Sequence, residues 1–375
     1  MPGKELSSPC MDCRDNESIF LIRSRRLCRD CYTRFVGYKV LRRTEQYRLR
    51  KSVPGAARGK LLLPLSCGLA SSVLLHMIHT QMKEQRSRPH APDGFDLHVL
   101  TIDPQSISSS NLPLGEVLES LQQRFPLASF TQLSLHTIWE LVPDLRDVFP
   151  GYAGEDFRDD SSLSPKERLD AFRASISSNT SAADVDSVLL TRLIVAFAKS
   201  INCFGIIWGD SDDRLAAKTL ASVAKGRGSS LTWQVSDGMT PFGLEFSFPL
   251  RDLFTAELQN YADSFSELAD IIIPDAPFSD NILTKNLSID QLMLRYVSSQ
   301  GAKYPGVMSN VTRTANKLQA SRMSTNGSRC ALCDTFICNS KGVYSQTPRT
   351  ATTDPKYSSL PELCYACDRS RPGLS

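Results

Sequence analysis

The sequence contains no apolar run that approaches the roughly 20 residues a membrane-spanning helix needs, and residues 1–7 lack the apolar core of a signal peptide. These two absences argue against an anchored or secreted protein, so we expect a cytosolic or nuclear chain with no membrane partner. Histidine is also scarce, with 5 in 375 residues. Because His76 and His79 have no third ligand nearby, we predict that the pair has a surface or packing role.

Acidic residues are nearly absent from one segment of the chain. Residues 21–60 contain thirteen Lys and Arg but only two acids, Asp30 and Glu45, so the segment carries a net charge of +11. Residues 1–20 carry −2 and the remainder carries −6. This segregation predicts a polyanionic partner for the basic segment, and a solvated helix face is the alternative.

Cysteine is scarce in the middle of the chain, where only Cys67 and Cys203 occur between residues 32 and 329. Eight of the eleven cysteines form four CxxC pairs near the termini. A reducing compartment disfavours disulfides, whereas two CxxC pairs together complete a tetrahedral shell of four thiolates for Zn²⁺. Cys338 lies close to the second set. We therefore predict two structural zinc sites, formed by Cys10, Cys13, Cys28 and Cys31, and by Cys330, Cys333, Cys364 and Cys367.

The residues that follow Cys31 predict an amphipathic basic helix. Val36, Val40 and Tyr47 give it an apolar side, and Arg and Lys occupy most of the rest. A metal module followed by a cationic helix is suited to holding a phosphate backbone. The cations that we expect to contact a nucleic acid there are Arg34, Lys39, Arg42, Arg43, Arg48, Arg50 and Lys51.

From Leu61 onward, apolar strands alternate with helices, which predicts a parallel sheet with ligands at the carboxyl ends of its strands. The predicted strands cover residues 61–65, 95–103, 129–135 and 203–208. The predicted helices cover residues 71–83, 115–124, 183–199, 215–224 and 255–261. We expect residues 156–186 to form a loop with partial helix, with Asn179, Thr180 and Ser181 as candidate caps.

Three turns in this body are candidate ligand sites. The small-residue turn 66–72 lies between a strand and a helix, where backbone N–H groups and a helix N-terminus can meet a phosphate. The turn 209–213 is acidic and suits either Mg²⁺ or, as we favour, a helix N-cap. In the segment 225–230, Lys225 and Arg227 flank a glycine and suit either a phosphate or a helix C-cap.

The turn 66–72 resembles the Ser-Gly-Gly-x-Asp-Ser loop of the ATP-pyrophosphatase (PP-loop) family, with Cys67 in place of a glycine and Ala70 in place of the aspartate. Together with both cysteine sets, the basic helix and the segments 226–228 and 249–252, it makes the whole chain similar to the second subunit of the cytoplasmic tRNA 2-thiolation complex. The resemblance implies an α/β fold with a parallel-sheet PP-loop (adenine nucleotide alpha hydrolase-like) body flanked by zinc-knuckle modules. The implied divisions are a zinc module (1–35), a basic helical arm (36–60), a degenerate PP-loop domain (61–320) and a second zinc module (321–375).

The resemblance also implies a function. Members of this family act as heterodimers with a catalytic PP-loop thiolase, and the complex places sulfur on the wobble uridine of the tRNAs for Lys, Glu and Gln. Sulfur arrives as the thiocarboxylate of a ubiquitin-like carrier protein, ATP activates the uridine, and a link to protein modification by that carrier is part of the family pattern. By this resemblance Lys225 and Arg227 join the cations expected to contact tRNA.

The departures from the family pattern predict a non-catalytic subunit. Catalytic members carry a pair of cysteines in the body, whereas Cys67 and Cys203 are isolated here, and Ala70 supplies no carboxylate. The degenerate nucleotide loop comprises Ser66, Cys67, Gly68, Ser71 and Ser72, whose remaining polar groups leave ATP binding open. Two alternatives also stay open: an active ATP-dependent sulfurtransferase that uses Cys67 or Cys203, and a zinc-dependent regulator that binds nucleic acid.

Overall fold

A mostly parallel six-stranded sheet organises the chain in the computed structural model. The structure describes residues 8–49, 58–92, 94–107, 114–153, 157–274, 286–301, 303–318, 328–337 and 361–372. The strands are β1 (Phe20–Ile22), β2 (Arg25–Leu27), β3 (Gly59–Pro64), β4 (Phe95–Ile102), β5 (Ala128–Leu133), β6 (Cys203–Ile207), β7 (Gly238–Met239) and β8 (Glu245–Ser247). Strands β1 and β2 form a separate antiparallel hairpin.

Helices cover both faces of the sheet. They are α1 (Arg29–Arg43), α2 (Glu45–Arg48), α3 (Leu69–Arg86), α4 (Leu114–Arg124), α5 (Ile138–Leu141), α6 (Leu145–Ala153), α7 (Pro165–Ala174), α8 (Asn179–Ser200), α9 (Asp212–Ala224), α10 (Leu231–Gln234), α11 (Thr255–Ala262), α12 (Ser266–Ala269), α13 (Ile289–Gly301), α14 (Pro305–Lys317) and α15 (Tyr365–Arg369). No helix in the described ranges combines the length and the apolar character needed to cross a membrane.

The sheet order is β5-β4-β3-β6-β8-β7, and all neighbours are parallel except β7 with β8. The chain leaves β3 through α3 toward β4 on one side, while β6 lies on the other side. Loops that follow the two central strands therefore diverge and leave a crevice between them, which is where ligands bind in open α/β sheets.

Strand β3 is apolar on both faces because both faces are covered. Leu61, Leu62 and Leu63 are each fully buried. Side chains alternate along a strand, so Leu61 and Leu63 pack in the cluster that contains residues of α1, α3 and α11, while Leu62 packs in the opposite cluster with residues of α8 and α9. The strand therefore joins the two halves of the core.

Helix α1 confirms the predicted basic helix, but the structure shows it as part of the body rather than as an arm. Its buried residues Val36 and Val40 lie in the core cluster that contains Leu61 and Leu63. The hydroxyl of Tyr32 donates to the carbonyl of Glu257 at 2.7 Å. The helix lies against α3 and α11. The predicted division between residues 35 and 36 falls inside this helix, and residues 50–57 of the predicted arm lie outside the described residues.

The stretch 156–186 contains more helix than the sequence predicts. Helix α7 begins in a capping box, in which Ser164 Oγ accepts from the N–H of Glu167 and the Glu167 carboxylate accepts from the N–H of Ser164. Helix α8 begins at Asn179, and its N-cap is Ser178 rather than residue 179, 180 or 181. Both helices pack in a third core cluster, where the rings of Phe149 and Phe172 stack at 3.8 Å.

Candidate functional site

Both predicted cysteine sets are assembled in the fold. In each set, the four sulfur atoms lie within 4.8 Å of one another. The Sγ atoms of Cys13 and Cys28 are 3.8 Å apart, and those of Cys333 and Cys364 are 3.7 Å apart. A tetrahedral shell with metal–sulfur bonds of about 2.3 Å has sulfur–sulfur edges of about 3.8 Å. Each set therefore fits one tetrahedral metal ion.

The N-terminal set is built from a turn and a helix end. Cys10 and Cys13 precede the β1–β2 hairpin, while Cys28 is the N-cap of α1 and Cys31 lies in its first turn. Burial raises the pKa of the Cys10 thiol, but hydrogen bonds from backbone N–H groups of the set, including that of Cys13, outweigh it and lower the pKa overall. The helix N-terminus adds a second influence that favours thiolate. In the same set, burial raises the pKa of the Cys31 thiol to about 12, so the direction of the shift differs from one cysteine to the next.

The C-terminal set joins two distant segments of the chain. Cys330 and Cys333 lie in one turn, and Cys364 is the N-cap of α15, which contains Cys367. Hydrogen bonds from the other cysteines lower the pKa of Cys333. The set packs in the third core cluster, which is formed by residues of α5, α6, α7 and α8, and is not a free-standing module.

Arg192 of α8 fastens the first of these turns to the body. Its Nη1 atom donates to the carbonyls of Ala331 and Leu332 at 3.0 and 3.1 Å. Its Nη2 atom also donates to the Asp144 carboxylate at 2.8 Å. No sequence pattern marks Arg192, because two of its partners are backbone carbonyls about 140 residues away.

The prediction that Lys225 and Arg227 contact a phosphate is corrected by the structure. Lys225 Nζ lies 3.1 Å from Asp184 and 2.7 Å from Asp290. Arg227 is only 4% exposed, and its guanidinium forms two hydrogen bonds with the Asp184 carboxylate at 2.7 and 2.5 Å. Both cations are buried and neutralised, so neither is available to RNA in this fold.

A cleft of about 1070 Å³ lies at the carboxyl ends of β3 and β6, where the sequence predicts the nucleotide site. Ser66, Gly68 and Ser71 line it, but their polar atoms bond to one another. Ser66 Oγ lies 3.1 Å from Ser71 Oγ and accepts from the Gly68 N–H at 3.3 Å, and Ser71 Oγ donates to the Gly68 carbonyl. Ser72 is fully buried and does not line the cleft. The hydroxyls of Ser66 and Ser71 are therefore satisfied within the loop, whereas the buried Ser72 Oγ has no hydrogen-bond partner among the described residues.

Cys67 points away from the cleft. Its φ of +57° lies in the left-handed region that favours glycine, its side chain is fully buried, and it is not among the residues that line the cleft. Burial raises the pKa of its thiol to about 11. Cys203 begins β6 in register with Lys60, at the amino ends of the parallel strands, and burial likewise raises the pKa of its thiol to about 11. These two thiols do not form a pair.

The acidic turn after β6 serves the fold, as favoured from the sequence. Ser211 is the N-cap of α9. Asp210 pairs with Lys218 at 2.6 Å, and Asp212 accepts hydrogen bonds from Thr312 and Ser309 of α14 at 2.6 and 2.9 Å. These carboxylates are therefore already engaged by protein groups.

The predicted nucleic-acid contacts separate into two groups. Arg34 and Arg42 are exposed on α1. In contrast, Lys39 donates to the Asp252 carbonyl at 3.1 Å, and Arg43 pairs with Asp252 and Asp237. Arg48 is partly buried, and Arg50 and Lys51 lie outside the described residues.

The two histidines of α3 have the packing role predicted for them. His76 and His79 are both buried. His76 Nδ1 lies 3.1 Å from the Tyr261 hydroxyl, and its Nε2 lies 2.9 Å from the Glu267 carboxylate. Burial lowers the pKa of both rings.

The sheet order, the turn after β3 and the two Cys₄ groups define a PP-loop α/β protein. The solved structure of the U34-tRNA thiolase NcsA from Methanococcus maripaludis, which carries a [4Fe-4S] cluster, is similar in fold, with a TM-score of 0.58 and 13% sequence identity over 89% of this chain and 95% of that one. At this identity the likeness concerns the fold alone.

Sequence comparison goes further. Residues 288–369 match the family model described as cytoplasmic tRNA 2-thiolation protein 2. The protein of that name from Aspergillus clavatus is 58% identical over the full length of both chains, and that from Emericella nidulans is 67% identical over 88% of this chain and all of the relative. The chain belongs to the cytoplasmic tRNA 2-thiolation protein 2 family, which gives it a role in tRNA thiolation.

Proposed function

We propose that this chain is a non-catalytic, RNA-holding subunit of a tRNA thiolation complex, required for 2-thiolation of the wobble uridine U34 in the tRNAs for Lys, Glu and Gln. Its partner in a heterodimer is a catalytic PP-loop thiolase, and sulfur is supplied by a thiocarboxylated ubiquitin-like carrier. The family resemblance supports the partner and the carrier. The family name supports a cytoplasmic location.

The placement of the two body cysteines supports a non-catalytic role. A sulfur-transferring cysteine must be a thiolate and must reach the substrate. Cys67 is buried beside the cleft without lining it, and Cys203 lies at the amino end of β6, whereas the cleft is at the carboxyl end. With a pKa of about 11, both thiols are protonated at neutral pH. Neither is suited to carry sulfur.

The exposed face of α1 supports an RNA-holding role and is the observation on which the proposal rests. Arg34, Tyr38 and Arg42 are spaced four residues apart and are all exposed, opposite the buried side of the helix. We call these three residues the basic stripe. It runs about 12 Å along the helix, with an aromatic ring between two guanidinium groups. Such a stripe suits phosphates flanking an unstacked base.

The sulfur geometry supports zinc as the metal of both Cys₄ groups. In a [4Fe–4S] cluster each cysteine binds a different iron, so the sulfurs lie further apart than they do around one ion. Separations of 3.7 and 3.8 Å match a single tetrahedral ion instead. Zinc in such a closed four-thiolate site stabilises the fold and does no chemistry. The cysteines hold α1 and α15 in place around it.

Reversing the charge of the basic stripe tests the proposal. The double variant Arg34→Glu/Arg42→Glu is expected to weaken tRNA binding by about tenfold or more and to reduce the slope of log K against log salt by about 1.4–1.8, because two phosphate contacts are lost. Binding is measured by filter retention or fluorescence anisotropy across a salt series.

A matched variant separates local contact from overall charge. Lys166 in α7 and Arg158, which precedes that helix in the chain, are also exposed and lie outside α1. Arg158→Glu/Lys166→Glu changes the net charge equally and is expected to leave the salt slope close to that of the wild type. Equal losses in both variants, or no loss in the stripe variant, would contradict an RNA-holding role for α1.

A further inference from the structure

The guanidinium of Arg227 lies between the C-terminal Cys₄ group and a buried carboxylate. Its Nη2 atom donates to the Sγ atom of Cys367 at 3.5 Å, while its Nε and Nη2 atoms donate to the two oxygens of Asp184. Arg227 and Asp184 are 4% and 1% exposed. The arginine is therefore a buried bridge between two anionic groups.

Asp184 fixes the orientation of this bridge. Besides Arg227, its carboxylate accepts from the hydroxyl of Ser370, the C-cap of α15, at 3.0 Å, and lies 3.1 Å from Lys225 Nζ. A buried carboxylate is stable only when its oxygens are satisfied in this way. One carboxylate of α8 thus ties the end of α9 to the helix that contains Cys367.

A glycine permits the close approach of these segments. Gly226 has φ of +79°, and a Cβ atom there would lie 2.7 Å from Cε1 of Tyr365, in the first turn of α15. The ring of Tyr365 covers the turn that presents Arg227. The segment 226–228, for which the sequence left a phosphate turn and a helix C-cap open, directly follows Lys225, the C-cap of α9, and seats the second cysteine knuckle against the body.

The hydrogen bond from Arg227 to Cys367 matters because the metal centre carries negative charge. Four thiolates around a divalent ion carry a net charge of −2, which is costly to bury unless donors reach the sulfurs. In the N-terminal set, Cys28 and Cys31 lie at the N-terminus of α1, where backbone N–H groups are available to the sulfurs. In the C-terminal set, Cys367 receives one from a cationic side chain 140 residues away in sequence, and charge-assisted hydrogen bonds are the stronger kind.

We propose that Arg227 is a positioning residue for the C-terminal metal centre, which it stabilises by donating a hydrogen bond to the Cys367 sulfur while Asp184 holds it in place. The inference rests on the metal occupancy proposed above. Groups that hydrogen-bond to metal ligands typically change metal affinity by about 10- to 100-fold when they are removed. The N-terminal metal centre lacks this contact and is expected to be indifferent to Arg227.

Zinc release from the full-length protein tests this role. Zinc content is measured first, and release to an excess of a chromogenic chelator is then followed in time, with the Cys364→Ser variant identifying the phase that belongs to the C-terminal centre. Arg227→Gln is expected to accelerate that phase by about 10- to 100-fold without changing the other. Arg227→Lys keeps the positive charge but loses the planar guanidinium donors. Its zinc-release rate is expected to lie between those of the wild type and Arg227→Gln.

Arg251 supplies the matched control. It is also 4% exposed, and it donates to Asp237 and Asn316 at 2.9 and 2.7 Å rather than to a sulfur. Arg251→Gln is expected to lower the thermal midpoint without changing either phase of zinc release.

Each outcome of the release experiment decides the inference. Wild-type release rates in Arg227→Lys and, where it folds, Arg227→Gln would overturn the role of Arg227 while leaving the metal proposal intact. Equal acceleration in Arg251→Gln would overturn it too, since the effect would then be general destabilisation. A wild-type protein without zinc would overturn both proposals.

Discussion

The Cys₄ groups and the cleft at the end of β3 differ in what their polar atoms bond to. In each Cys₄ group, four sulfurs converge on a common centre at the spacing that one ion requires. In the cleft, Ser66 and Ser71 bond to each other and to Gly68. The molecule therefore has complete metal-holding geometry and an incomplete phosphate-holding loop.

This difference assigns the two regions to different tasks. The N-terminal set packs in the core cluster that contains Leu61 and Leu63. The C-terminal set packs in the core cluster formed by residues of α5, α6, α7 and α8. Both sets are thus part of the core, and their loss is expected to propagate through it. In the cleft, the hydroxyls of Ser66 and Ser71 already have protein partners, so the fold needs no ligand to satisfy them.

The largest effect is expected from removing a metal ligand. Cys333→Ser leaves three thiolates in the C-terminal set and uncouples α15 from the body, so we expect a loss of more than about 4 kcal/mol in the free energy of unfolding. Urea denaturation followed by circular dichroism measures it. Cys203→Ser is the control, because Cys203 is equally buried but belongs to no set, and a loss of about 1 kcal/mol is expected. Equal losses of unfolding free energy in the two variants would show that the Cys₄ groups stabilise the fold no more than an ordinary buried cysteine does.

The sequence was sufficient for the parts of the fold that depend on local pattern. The apolar run of β3, the spacing of Val36 and Val40 in α1, and the CxxC pairs each carry their signal within a few residues. Only partial helix was predicted in the region of α7, without bounds, because its Ser- and Asp-rich surroundings indicate a loop. The signal that identifies it is the run Ser164-Pro165-Lys166-Glu167, a capping box with proline in the first helical turn.

Tertiary pairing was beyond the reach of sequence pattern. Lys225 and Arg227 look like phosphate ligands because nothing nearby in the sequence neutralises them, yet Asp184 does so from another helix, 43 residues from Arg227. Arg43 finds Asp252 about 200 residues away in the same manner. A cation in a basic segment is available to RNA only where the fold leaves it unpaired, and the sequence does not contain that information.

An intermediate effect is expected where the two central loops meet. A Cβ atom at Gly209 would lie 2.6 Å from Cα and 2.9 Å from Cβ of Ser71, in the first turn of α3. Because backbone cannot yield as a side chain does, Gly209→Ala is expected to destabilise the fold by about 1–3 kcal/mol. Thermal unfolding measures it.

Gly228 provides the matched glycine. A Cβ atom there has no neighbour within 4 Å, and its φ is not positive, so Gly228→Ala is expected to be neutral or stabilising by up to about 1 kcal/mol. A Gly209→Ala variant as stable as Gly228→Ala would mean that the loops after β3 and β6 are not locked together, and the cleft would then be adaptable.

The smallest effect is expected from ATP. A ligand at a concentration equal to its Kd stabilises the native state by about 0.4 kcal/mol, so magnesium-saturated ATP at about 1 mM reports any Kd near or below that value as a shift in the thermal midpoint. We expect no shift, because Ser66 Oγ occupies the Gly68 N–H, Ala70 offers no carboxylate and Cys67 occupies a glycine position. GTP at the same concentration controls for non-specific anion effects. A rise with ATP alone would show that the loop opens to accept a nucleotide, and the contrast between a formed metal framework and an incomplete phosphate loop would then fail.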